Sequence, residues 1–174
     1  MKRLFLSVYV FATLVVSATS QILSEGMKFP EIMLASIDGD TLKAEDLKGK
    51  VVFYNFYFAI CQPCIAQKEG LNELYETFAG DDVLFIAITF DGYEQIKWIR
   101  ETHGMRFKIV SIYSDEIERH FGVRNYPTNF LVGIDGRILK MKRGIKSFET
   151  ANQEILDEFS PAIQSELQKL KPEK

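Results

Sequence analysis

An almost unbroken apolar and aromatic run, Val51-Val52-Phe53-Tyr54-Asn55-Phe56-Tyr57-Phe58, leads directly into Ala59-Ile60-Cys61-Gln62-Pro63-Cys64. Such a run, rich in β-branched and aromatic residues, is what a central strand covered on both faces requires. Beyond the cysteines the spacing turns helical, with Leu71, Leu74, Tyr75 and Phe78 at i, i+3, i+4 and i+7. A strand that runs into a helix at a Cys-x-x-Cys pair restricts the chain to an α/β arrangement with Cys61 at the junction.

Cys61 and Cys64 are the only cysteines of the 174 residues. Random placement would set two cysteines three apart in roughly 1% of cases, so the spacing points to a dithiol site. The first N–H groups of a helix lack partners and its dipole is positive there, so a thiolate at Cys61 is stabilised. Free cysteine ionises near pH ~8.5, and helix N-termini in Cys-x-x-Cys motifs lower that value. Pro63 suits an early helical position, where its missing N–H had no partner anyway. Cys64, one turn further in, is then the shielded thiol that resolves mixed disulfides. A purely structural disulfide would close too short a loop to remove much unfolded-chain entropy. Structural zinc needs four ligands, and His103 and His120 stand at no ligand spacing from the pair.

Lys2 and Arg3, the mostly apolar residues 4–16 and the small residues 17–20 read as an export signal, with the domain expected over 22–174. Cleavage before Thr19 or before Gln21 satisfies the small-residue rule. Thirteen apolar residues fall short of the roughly 20 that cross a bilayer as a helix, although an uncleaved anchor or a buried N-terminal helix is the competing reading. Export places the protein in an oxidising compartment, where a chain stabilised by disulfides would carry more cysteines than two. About 154 residues remain after the signal, enough for one domain with a sizeable core. The formal charge of −3 is too small to imply nucleic acid or a membrane surface as a partner.

Along the rest of the chain, residues 32–37, the turn Asp38-Gly39-Asp40 and residues 42–47 suggest a short hairpin. Residues 62–79 are expected as one helix, 83–90 as a second buried strand, and 94–102 as a helix closed by Gly104. Strand, helix, strand in that order implies a right-handed crossover between parallel strands. A short strand at 109–113, a helix at 115–121 and an antiparallel hairpin of 128–134 with 137–142 across Asp135-Gly136 follow. A C-terminal helix is predicted over 148–159, with Ser160-Pro161 opening a separate segment.

This order, with Gly49-Lys50-Val51-Val52-Phe53-Tyr54-Asn55-Phe56, Cys61-Gln62-Pro63-Cys64 and Tyr126-Pro127-Thr128-Asn129-Phe130-Leu131-Val132, resembles the thioredoxin fold. More narrowly the chain is similar to exported thiol-disulfide oxidoreductases of the TlpA/ResA type in the redoxin, or AhpC-TSA, group. The resemblance implies a mixed central sheet with helices on both faces and an N-terminal hairpin extension. It also implies that Pro127 is a cis-proline lying against the dithiol, and that Tyr126, Pro127 and Thr128 shape the groove where a substrate's extended backbone docks. Three positions depart from the family. Asn55 replaces a buried Asp of cytosolic thioredoxins, Gln67 a glutamate, and Ile60 the tryptophan before the first cysteine. Two groups that could take a proton from the buried thiol are thus amides, which hydrogen-bond without titrating.

The resemblance implies disulfide exchange in the reductase direction without a dissociable cofactor or metal. Protein disulfides are the expected substrates, with apocytochromes c among the candidates, and a membrane thiol carrier the expected reductant of a monomeric protein. Two other classes stay open. A thiol peroxidase would need Pro and Thr before its peroxidatic cysteine, where this chain has Tyr54 and Phe58; a non-catalytic module retaining the fold would accommodate Ile60, Asn55 and Gln67.

Overall fold

Alternation along the 51–57 segment divides the protein into two cores. Val51, Phe53 and Tyr57 enter one buried cluster, whereas Val52, Tyr54 and Phe56 enter the other, as period-2 geometry demands. The computed structural model describes residues 22–171, and the leader-like residues 1–20 lie outside them. The elements run β1 (Leu34–Ala35), β2 (Thr41–Leu42), α1 (Ala44–Leu47), β3 (Val51–Phe56), α2 (Gln62–Ala66), α3 (Lys68–Phe78), β4 (Val83–Thr89), α4 (Tyr93–His103), β5 (Lys108–Ser111), α5 (Ser114–Phe121), β6 (Thr128–Val132), β7 (Ile138–Arg143) and α6 (Ala151–Gln168).

The strand β3 lies at the centre of a five-stranded sheet of order β5-β4-β3-β6-β7. It pairs in parallel with β4 and antiparallel with β6, and β4 pairs in parallel with β5. On one face Leu71 and Leu74 of α3, Ile96 and Ile99 of α4, and Ile155, Phe159 and Ile163 of α6 close over Phe53 and Phe85. The Phe53 and Phe159 rings meet edge-to-face, with centroids 4.9 Å apart at 88°. On the other face Ile117 and Phe121 of α5 and Phe29 of the N-terminal segment cover Tyr54 and Phe56, with Phe29 stacked on Tyr54 at 4.2 Å. Each fully buried Phe or Leu contributes about 1.5–3 kcal/mol, so both faces are strongly held. The mixed sheet with helices on both faces matches the expected class.

The N-terminal hairpin is shorter than residues 32–47 suggested, with Leu34 opposite Leu42 and Ala35 opposite Thr41. Its turn has a second task. Ser36 bridges to Val110 and the Ile37 N–H donates to the Ile109 carbonyl, so the otherwise open edge of β5 is covered. Asp38 clasps Arg100 through two 2.7 Å bonds, and Asp40 pairs with Lys108.

The C-terminal segment corrects the expected break at Pro161, which lies inside a single helix, α6. Proline removes the N–H that would bond to the Asp157 carbonyl. Both residues face outward, so water can take up the freed carbonyl. Meanwhile Ile155, Phe159 and Ile163, all wholly buried, keep one helix face on the core across the proline. Gly70 sets how closely α3 approaches α6: a Cβ there would lie 2.4 Å from the Asn152 carbonyl oxygen, and the Gly70 N–H donates to Asn152 Oδ1 at 2.9 Å.

Candidate active site

Three loops converge where β3 and β4 end and β6 begins. The parallel β3–β4 pair sends residues 57–61 and 90–92 out of the same end of the sheet. The antiparallel register sets Thr128 opposite Phe56, so residues 125–127 enter there too. One ring from each loop meets the other two: Phe58, Phe90 and Tyr126 have centroids 5.5 to 5.7 Å apart. Phe58 and Tyr126 pack on the cluster that contains both cysteines.

Cys61 is the N-cap of α2, and its sulfur accepts a hydrogen bond from the Cys64 N–H at 3.3 Å. Its carbonyl accepts from Ile65 N–H at 2.9 Å, which starts the helix. Gln62 and Pro63 fill the next two positions, where proline sacrifices no helical bond. The two cysteines are joined as a disulfide with Cα atoms 5.2 Å apart. Access differs from the sequence expectation: in this oxidised pair Cys61 is 4% and Cys64 2% exposed, so both sulfurs lie below the surface. The N-cap position and its hydrogen bond, more than exposure, distinguish Cys61. Ile60, at the place of the family tryptophan, is 75% exposed.

The expected helix over 62–79 is divided at Gln67, whose φ of −92° and ψ of 2° end α2 and begin α3. Its side chain turns into the core. Gln67, Asn55 and Asn129 are each wholly buried and form a chain of amides: Asn55 Nδ2 donates to Asn129 Oδ1 at 2.7 Å, and Asn129 Nδ2 to Gln67 Oε1 at 3.1 Å. No local pattern in the sequence marks Asn129 as a partner of either amide. The strand register that places it opposite Asn55 is what makes it the bridge. The Tyr126–Pro127 peptide is cis. Pro127 is buried, its carbonyl accepts from Gly144 N–H, and Thr128 Oγ1 donates to the Asn125 carbonyl at 2.7 Å.

Sequence reasoning also missed Asp91. Its Oδ2 accepts from the Ala59 N–H at 2.6 Å and from Thr89 Oγ1 at 2.7 Å, while Ser111 Oγ donates to its carbonyl. Asp91 thus ties the loop before Cys61 to the end of β4 through its carboxylate and to the end of β5 through its carbonyl. The only local sign was Thr89-Phe90-Asp91 at the end of an apolar strand, a side-chain-capped turn. Burial first, then the Asp91 charge, pushes the Tyr126 phenol up to about 12. The same two causes raise Tyr57, whose hydroxyl has no partner among the described residues. Asp91→Ala leaves the buried Ala59 N–H without its acceptor and should destabilise the protein by about 1–3 kcal/mol. Urea unfolding checks this, and Asp91→Asn, which keeps an acceptor, should recover most of the loss.

Lys68 follows Gln67 and is 4% exposed, its Nζ without a partner among the described residues. Burial lowers its pKa to about 7. It borders a surface hollow with Ile65, Thr102, His103 and Asn152. No helix among the described residues is long and apolar enough to cross a membrane.

Residues 26–141 match the AhpC/TSA family model. The chain is similar to thiol-disulfide oxidoreductase ResA of Bacillus anthracis, with 30% identity over 71% of this chain and 72% of the relative. ResA of Bacillus thuringiensis subsp. konkukian is 28% identical over 78% of this chain and 79% of its own. In fold the chain is similar to a thiol:disulfide interchange protein of the thioredoxin family from Chlorobium tepidum, with a TM-score of 0.66 and 19% identity over 84% of this chain and 99% of that one. With a Cys-x-x-Cys pair capping a helix at the end of the central strand of such a fold, the chain belongs to the AhpC/TSA family and, within it, to the thiol-disulfide oxidoreductases of the ResA type.

Proposed function

We propose that the protein is an exported disulfide reductase acting on protein substrates through Cys61 and Cys64. The observation that carries this reading is a sulfur at a helix N-cap, accepting the Cys64 N–H, in a helix begun by Gln62-Pro63. The Cys61 thiolate attacks a substrate disulfide and forms a mixed disulfide, releasing the first substrate sulfur as a thiol once it takes a proton. Cys64 then attacks Cys61, the second substrate sulfur leaves as a thiol, and two electrons have passed from the dithiol to the substrate. Tyr126, Pro127 and Thr128 border the groove that holds the extended substrate, with Phe58 and Phe90 as its apolar wall.

The positively charged and apolar residues 2–16 support export. In an oxidising envelope the pair must be re-reduced, and a membrane thiol carrier is the reductant this reading requires. Apocytochromes c and misoxidised envelope proteins are the client classes, taken up by a monomer.

The direction follows from local charge. Gln62 and Pro63 add no positive group, so the helix terminus, typically about 0.3–1 kcal/mol, is the main stabiliser of the Cys61 anion. That is far less than a strong oxidant needs. Equilibration with glutathione should give a potential nearer the roughly −270 mV of thioredoxin than the ~−120 mV of a strong oxidant. A potential near the latter would mean that the protein donates disulfides. Hydrogen peroxide consumption no faster than that of Cys61→Ser would separate this reading from a peroxidase.

A further inference from the structure

The layer that covers the sheet on the Tyr54 face is not closed everywhere. Where β3 begins and β6 ends, Val52 lies opposite Val132, at the end of β3 away from the cysteines. The N-terminal segment at Phe29, the helix α1 at Ala44 and Leu47, and the turn that joins β6 to β7 meet over this end and leave a hollow of about 270 Å³. That exceeds the roughly 150 Å³ void that takes up benzene and falls a little below the ~300 Å³ at which drug-sized sites begin. One ring with a short chain fits.

Two kinds of polar group border the hollow. Tyr54 is 3% exposed and stacked on Phe29, yet it lines this space and no described residue hydrogen-bonds its hydroxyl. Burial alone raises its pKa, so the phenol stays a donor throughout the physiological range. A donor so enclosed without an acceptor is unfavourable, and the hollow is the side from which an acceptor can come. The second kind is cationic: Lys28, Lys48 and Lys50. In the turn Leu47-Lys48-Gly49-Lys50 the Lys50 N–H donates to the Leu47 carbonyl at 3.2 Å, Lys48 has φ −65° and ψ 130°, and Gly49 has φ 73°. These are type II values, with glycine where φ is positive, and a lysine flanks it on each side. Neither ammonium has an ion pair among the described residues, and Lys28 donates to the Asp135 carbonyl, a neutral acceptor. Two acids also line the hollow. The Asp135 carboxylate is taken up by Arg137, through its N–H at 2.9 Å and Nε at 3.7 Å, which leaves Glu31 alone against three cations.

We infer that this hollow is a binding site for a small aromatic or short-chain carboxylate. Its apolar body packs on Phe29, Val52 and Val132, its oxygen accepts from the Tyr54 hydroxyl, and its charge is met by Lys28, Lys48 and Lys50. The ligand class follows from the lining. A purely apolar molecule would leave the phenol without an acceptor, a cation would meet three ammonium groups, and an inorganic anion would leave the apolar wall wet. The site is independent of the exchange reaction proposed above, since it shares no residue with the three loops that converge on the dithiol.

The test titrates the whole protein with 3-phenylpropionate and follows backbone amide shifts by NMR. Saturable shifts centred on residues 48–54 and 132–136 are expected, and the same affinity in the oxidised protein and in Cys61→Ser, so the outcome stands apart from whether the protein is a reductase. 3-Phenylpropanol keeps the ring and an oxygen without the charge, and inorganic phosphate keeps charge without an apolar body. Each should bind at least about tenfold more weakly. Dodecanoate, too long for the hollow, should gain nothing over hexanoate; affinity that rises with chain length would mean an open apolar face in place of a pocket and would overturn the inference. Tyr54→Phe keeps the ring and its stacking, and the double change Lys48→Gln with Lys50→Gln keeps most of both stems. Each is expected to weaken 3-phenylpropionate about tenfold, the lysine pair mainly at low salt and the tyrosine at any salt. Without ligand, Tyr54→Phe should unfold at no lower a urea concentration than the parent, because its hydroxyl has no hydrogen bond to lose. No saturable binding, equal affinity for the alcohol, shifts centred on residues 58–64, substitutions that leave the affinity unmoved, or a destabilised Tyr54→Phe protein would also overturn the inference.

Discussion

Cys64→Ser is expected to trap the protein on its substrate as a stable mixed disulfide, whereas Cys61→Ser should form none and lose turnover by at least about 10³-fold, as removal of a nucleophile does. The asymmetry cannot come from exposure, because the sulfurs differ only as 4% to 2%. It comes from position. Cys61 is the N-cap, and its sulfur accepts the Cys64 N–H, so its anion is stabilised by a backbone donor and by the positive end of the helix. Cys64 lies one turn inside the helix and is not at its N-cap. Brief alkylation of the reduced protein followed by peptide mapping checks the order, with Cys61 labelled first. Labelling that begins at Cys64 would reverse the assignment.

The second large effect is expected at Lys68, and it is one of stability. A buried ammonium without a partner is strongly unfavourable, and Lys68 Nζ has none among the described residues. Burial lowers its folded pKa to about 7 from the ordinary 10.5. Between those values the unfolded chain binds a proton that the folded protein does not, so stability rises with pH from about 7 to about 10.5. Below that window the penalty is fully present. Lys68→Met keeps the apolar stem and removes the amine. It should stabilise the protein by about 1–3 kcal/mol at pH 6 and flatten the rise at alkaline pH. Urea midpoints measured from pH 6 to pH 10 decide this. A loss of stability in the Lys68→Met protein, or an unchanged pH slope, would show that the amine is held by a favourable contact.

Much of the architecture was legible because it depends on periodicity. The alternating and continuous apolar runs around Phe53 and Phe85 could be satisfied only by strands buried on both faces, and the i, i+3, i+4 pattern of Leu71, Leu74 and Tyr75 only by a helix packed on them. Gly104 and Gly122, with φ of 64° and 63° at the ends of α4 and α5, stopped those helices where expected, since the left-handed cap favours glycine. Pro161 misled for the opposite reason. Local chemistry argues for a break there, but Phe159 and Ile163 are buried on one continuous helix face, and packing outweighs one lost hydrogen bond.

The dithiol was legible from spacing alone, and its helix-capping geometry from the order of strand, Cys61, Pro63 and helix. What surrounds it was not. Asn129 is 62 residues from Gln67 and 74 from Asn55, and Asp91 is 32 from Ala59. No local pattern links such residues. Only the pairing of β3 with β6 sets Asn129 opposite Asn55, and only the parallel β3–β4 pair carries Asp91 beneath the loop that holds Cys61. A hydrogen bond depends on tenths of an ångström between groups from distant strands, whereas a hydrophobic period depends only on neighbours along the chain. The sequence by itself therefore determined the fold class and the Cys-x-x-Cys pair at the end of its central strand, and the tertiary structure alone decided which buried polar groups pair with one another.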